Sequence, residues 1–139
     1  ILNAHVIADG DTLEVDGPGG TIAVRAFDMI HGDINAFGFR VAGMAYSCDL
    51  SSLPQSSMAA LRDLDLWIVD ALRLTPHPSH LSLPETLELI AEVGPRQAVL
   101  TDMHIDLDYA TLEAEAPANV APAFDGMQID VLSGRILNR

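Results

Sequence analysis

The chain has 139 residues, 49% of them hydrophobic, which suits one domain with a moderate core and excludes a disordered or low-complexity segment. Seven Lys plus Arg oppose 20 Asp plus Glu, a formal charge of −13. So acidic a surface repels nucleic-acid backbones and anionic membranes, and it recruits a polyanion only through local cations. There is no apolar run long enough to span a membrane and no visible signal peptide, so the expected location is cytoplasmic. The chain opens on Ile1 in a strand-like stretch, as expected where an earlier part is absent; trimming of a tag would look the same.

Residues 3–8 and 12–15 read as two short strands around the turn Asp9-Gly10-Asp11. Gly17-Pro18-Gly19-Gly20 is a second turn, and residues 21–27 run as a strand toward His31. Residues 37–42 and 44–48 flank Gly43 as another hairpin, with Asp49 at its exit. Ser51 and Ser52 are candidate N-caps, Pro54 suits a first helical turn, and residues 56–64 read as a short helix. Residues 65–70, DLWIVD, form a buried strand. After a Pro/His/Ser loop, Ser82 caps a helix through Val93, with Pro84 and Glu85 in its first turn and Gly94-Pro95 stopping it. Residues 97–101 are the next buried strand, 109–114 a short helix, and 124–132 a turn and a final strand.

Antiparallel strands followed by a β-α-β succession predict an α/β fold over the single domain 1–139. It would be half of an αββα sandwich, with a mixed sheet and helices on the outer face. Half a sandwich leaves one sheet face without a partner layer, so that face is expected to be apolar and adhesive.

Three apolar, strand-like segments stop at a side chain able to bind a metal: FDMIH at His31, GMAYSCD at Asp49 and AVLTDMH at His104. Neutral imidazole suits Zn, Mn or Fe, although a loop His31 bonded to Asp33 is equally consistent with the spacing. Asp49 suits either a helix-capping role or a place between two cations. His80 lies in the loop Pro76-His77-Pro78-Ser79-His80, where it is placed to approach a substrate; His77 reads as exposed. Asp102 and His104 are two apart and share one side if the segment stays extended. Asp70 ends an otherwise buried strand and needs a partner: a loop, Arg73, or the metal site. The single Cys48 excludes an internal disulfide. It is expected to point away from Asp49 as a small core residue.

The phrases IHGDINAFGFRV, AYSCDLSSLP, LWIVDALRLTPHPSHLSL, RQAVLTDMHIDLDYATL and FDGM together resemble a branch of the metallo-β-lactamase superfamily, that of the phosphoribosyl cyclic phosphodiesterases and their relatives. The likeness covers residues 21–131 and corresponds to the C-terminal part of the domain; the first family motif, H-x-H-x-D-H, does not occur in these residues. The resemblance implies that His31 and Asp49 are metal ligands, Asp49 bridging two ions. It implies that His80 contacts phosphate and protonates the leaving group, and that Asp70 steadies the ligands. Where the family reads Leu-Thr-His this chain has Asp102, with His104 two residues later; His104 is the favoured ligand and Asp102 the alternative. The implied cofactors are two divalent metal ions, Zn or Mn, in the complete protein. The implied activity is hydrolysis of a small cyclic phosphodiester or nucleotide-like substrate by a dinuclear metal-bound hydroxide, with the fragment alone inactive. The alternative is a non-catalytic module of the same fold that binds a nucleotide or a protein. The unpartnered face predicts association with the missing N-terminal half or with a second copy.

Overall fold

The computed structural model describes residues 4–138. β1 (Thr12–Gly17) and β2 (Gly20–His31) form a hairpin in which Gly17 pairs with Gly20. Gly20 has φ +114, a conformation this tight turn reserves for glycine. β2 runs on to His31 because β3 (Ile34–Val41) pairs with it from Arg25↔Arg40 to His31↔Ile34. β4 (Met44–Ser47) is antiparallel to β3. β5 (Leu66–Asp70), β6 (Gln97–Thr101) and β7 (Val120–Pro122) then follow in parallel, giving a mixed sheet in the order β1 to β7. A short 3-10 helix (Ser57–Leu61), α1 (Leu83–Val93) and α2 (Tyr109–Glu115) connect the strands. β8 (Ile129–Asp130) and β9 (Arg135–Ile136) form a separate ribbon.

The core lies on one face of the sheet. Phe27, Met29, Ala45, Trp67, Val69, Ala98 and Leu100 from the strands meet Leu61, Leu64, Leu81 and Ile90 from the connections. Trp67 places its one polar atom within this core by donating from Nε1 to Ser47 Oγ at 3.0 Å. Across the other face, the register sets Ala26, Phe39, Tyr46, Ile68, Val99 and Ala121 in one row. None of these residues belongs to the core cluster; Ala26 and Val99 are nonetheless buried, whereas Tyr46 is 42% exposed. Farther along the same face the paired Val15 and Ile22 are about half exposed.

Several elements differ from the sequence pattern. Ala4–Ala8 is not a strand; Gly10 N–H donates to Ala26 O and Ala26 N–H to Asp11 O, so the turn lays the chain onto β2 instead of closing a hairpin. The expected strand also began at residue 3, which lies outside the described residues. Ser51 and Ser52 cap no helix, and the short 3-10 helix follows Ser56. β7 carries Pro122, and a proline suits only the edge of a sheet, where β7 lies.

α1 begins where the sequence predicts. The backbone N–H and hydroxyl of Ser82 both donate to Glu85, and Gly94 ends the helix at φ +67 with its N–H on Ile90 O. The bonds from Ser82 hold the Glu85 carboxyl below the usual range. Its folded pKa is below the unfolded one. The stability it contributes is therefore full above 4.5 and is lost as the pH falls through the folded value. Ser82→Ala should cost about 1 kcal/mol at neutral pH. In thermal melts, the advantage of the parent over Glu85→Gln should shrink on acidification; an advantage independent of pH would contradict the capping box.

Gly38 has no room for a side chain, because a Cβ there would sit 2.2 Å from the ring of the buried Phe27. Gly38→Ala should destabilise the fold by roughly 1–3 kcal/mol in urea titration, and a neutral result would contradict this packing.

Candidate functional site

The C-terminal ends of β4, β5 and β6 open toward the loop that follows β2. His31 closes β2, and Gly32 turns the chain at φ +60. A Cβ on Gly32 would lie 3.0 Å from Ser79 Cβ, so glycine lets the 77–80 loop press against this turn. Ser51 pins the turn from the other side: Gly32 N–H donates to its Oγ, and the hydroxyl donates to Ile30 O. His31 Nδ1 lies 2.8 Å from Ser79 O. A carbonyl only accepts, so Nδ1 carries the proton and Nε2 keeps its lone pair; metal-binding histidines are held in this way.

Asp49 follows β4 with φ +61, an unusual conformation for a residue other than glycine. The adjacent Leu50 N–H donates to Asp70 Oδ2 at 2.9 Å. Asp70 is wholly buried, and the same Oδ2 accepts from His80 Nδ1 at 2.6 Å, while Oδ1 has no hydrogen-bond partner. Burial pushes the Asp70 carboxyl up, against the Leu50 and His80 hydrogen bonds that favour its charged form. Arg73 is not its partner; the guanidinium donates to the carbonyls of Thr75 and Pro76.

His80 Nδ1 also lies 3.4 Å from Asp102 Oδ2, and its ring meets that of His31 edge-on at 4.7 Å. His77 stands beside it at 5.3 Å and is half-buried, with Ser79 N–H donating to its Nδ1. Three overlapping groups of ligand atoms result, each within 4.8 Å: His31 with Asp49 and His80, Cys48 with Asp49 and Asp102, and Asp70 with His80 and Asp102.

The structure thus gathers His31, Asp49, Asp70, His80 and Asp102 in one place, but among the described residues His104 joins none of these groups. Asp102 has φ +57, so the chain does not stay extended after β6 and the two side chains do not share a face. His104 N–H donates to Leu72 O, and its exposed ring leans to Asp106 at 3.4 Å.

Cys48 reaches this cluster against its sequence expectation. β4 ends at Ser47, and the left-handed Asp49 breaks the alternation that would send neighbours to opposite faces. Burial pushes the Cys48 thiol up. Partial burial, a hydrogen bond to Cys48 and the charges of Asp49 and Asp102 push the Tyr46 phenol up to about 12. The missed signal was the run Tyr-Ser-Cys-Asp, in which Tyr46 and Cys48 share a face.

Imidazole nitrogen beside carboxylates suits a divalent cation. The buried Asp70 Oδ1 without a partner is an independent sign of a missing cationic neighbour or donor.

Residues 1–105 match the family described as the beta-lactamase superfamily domain. The chain belongs to this family. A member of the β-lactamase superfamily, it superposes on the crystal structure of a diphosphatase from the PhnP family with a TM-score of 0.80 and 30% identity. That match covers 86% of this chain and 46% of the diphosphatase. The metallo-β-lactamase fold protein YhfI from Bacillus subtilis superposes with a TM-score of 0.63 and 18% identity, over 94% of this chain and 53% of YhfI. An octanoyltransferase from Porphyromonas gingivalis is 24% identical over 110 residues, 77% of this chain and 22% of that protein. The fold is the α/β metallo-β-lactamase fold, of which this chain spans about half the length of the two matched structures.

The His31 tautomer is open to direct measurement. Nitrogen-15 NMR of the neutral ring should find the proton on Nδ1, and a proton on Nε2 would contradict the bond to Ser79.

Proposed function

We propose that this chain supplies the C-terminal half of a metal-dependent hydrolase site in a complete, cytoplasmic protein, acting on a small phosphodiester or diphosphate. The observation that carries this reading is the convergence of His31, Asp49, His80 and Asp102, with buried Asp70 behind His80. The similarity to a diphosphatase supports the substrate class. His31 Nε2 and Asp49 would hold one cation, Zn or Mn, and Asp49 with Asp102 a second, so that Asp102 and not His104 is the late ligand. When bound, such ions lower the pKa of coordinated water and stabilise charge on phosphoryl oxygens.

The remaining chemistry belongs to the chain. Asp70 accepts from Nδ1 of His80 and so fixes which ring atom faces outward. As the imidazolium, His80 would keep its Nδ1 proton on Asp70, deliver its Nε2 proton to the departing oxygen and return to the neutral ring. The surface charge of −13 favours a small substrate over structured nucleic acid. The partly exposed row of Phe39, Tyr46 and Ile68 on the outer sheet face would receive the rest of the domain, or in isolation a second copy. A second reading, a non-catalytic module binding a nucleotide or protein, draws on one feature: Asp102 stands where the resembled family has His.

Elemental analysis and turnover of the complete protein test this. Asp49→Ala and Asp102→Ala should lower metal content, while His104→Ala leaves it unchanged. His80→Ala should keep the metal and lower kcat on a cyclic phosphodiester or diphosphate by about 10²–10⁴-fold. A complete protein without metal or turnover would leave only the binding module.

A further inference from the structure

We propose that Cys48 is itself a metal ligand, completing with Asp49 and Asp102 a mixed thiolate–carboxylate site. This rests on the reading that the cluster holds a cation. Sγ of Cys48 and one carboxylate oxygen each of Asp49 and Asp102 lie within 4.8 Å of one another. Zinc bonds of about 2.3 Å to sulfur and 2.0–2.2 Å to oxygen, at tetrahedral angles, set two ligand atoms on one ion about 3.5 Å apart. Closing the three atoms to that spacing takes side-chain shifts on the order of an ångström or less.

Two features place the thiol there. The left-handed backbone of Asp49 brings consecutive residues to one site, where a continuous strand would separate them. Two residues on from Cys48, Leu50 N–H donates to Asp70 Oδ2 and anchors this strand exit beside the cluster. The independent pointer to a cation is Asp70: wholly buried, with Oδ1 unpartnered, it belongs with His80 and Asp102 to the adjoining group. Asp102 is common to both groups.

Coordination would replace the thiol proton by the metal and release that proton to solvent, with no change of oxidation state. A thiolate favours zinc over manganese, opposing the preference for harder ions that Asp102 introduces.

Cobalt(II) loaded into the complete protein tests this without an activity assay. The parent should show visible d–d bands and a near-ultraviolet sulfur-to-cobalt charge-transfer band, and Cys48→Ser should lose only the second. Visible bands without a Cys48-dependent near-ultraviolet band would overturn the thiolate ligand and leave the metal centre standing. Absence of both would overturn the metal centre, and the thiolate ligand with it. In the unsubstituted protein, zinc should slow alkylation of Cys48 by iodoacetamide, followed by peptide mass, by about tenfold or more. An unchanged rate would overturn the proposal.

Discussion

The buried carboxylate of Asp70 is the constraint around which the site is assembled. Its Oδ2 accepts from Leu50 N–H and from His80 Nδ1, joining the exit of β4 to the 77–80 loop through the end of β5. Its own carbonyl accepts from Thr86 Oγ1, which ties α1 to the same point, and the next residue, Ala71, donates to Thr101 O at the end of β6. A carboxylate is removed from water only at considerable cost, so its partners must be held firmly. Removing any of them would leave a buried charge exposed to an apolar core.

The sheet determines where this constraint acts. β4, β5 and β6 run parallel, so their C-terminal ends meet at one edge, where the loops of open parallel sheets gather ligands. Asp49 leaves β4 and Asp102 leaves β6, each in the left-handed region. Two such conformations beside one buried carboxylate place strain at the cluster itself, a common property of functional sites. On the antiparallel side, β2 delivers His31 to the same edge and the Ser79 carbonyl orients its ring. Rigid strands therefore position the donors, and short turns aim them.

Much of this was legible in the residues. The apolar run of β5, the Ser82–Glu85 start of α1, and the His31 and Asp49 strand exits each follow from local pattern, because propensity and burial agree there. What could not be read was backbone conformation at single residues. A left-handed Asp102 removes His104 from the cluster, and a left-handed Asp49 admits Cys48; nothing in the residue types forces either. Asp70 was recognisable as needing a partner, but Leu50 N–H and His80 come from segments that only the tertiary fold brings together. β7 escaped notice because its proline, Pro122, argues for a loop, and only its edge position makes it tolerable.

The exchange of His104 for Asp102 is tested most directly by anomalous diffraction at the metal edge, on crystals of the complete protein grown with zinc or manganese. One peak about 2.0–2.3 Å from His31 Nε2 and Asp49, and a second at that distance from carboxylate oxygens of Asp49 and Asp102, is the predicted result. A peak bound by His104, with Asp102 turned away, would contradict it.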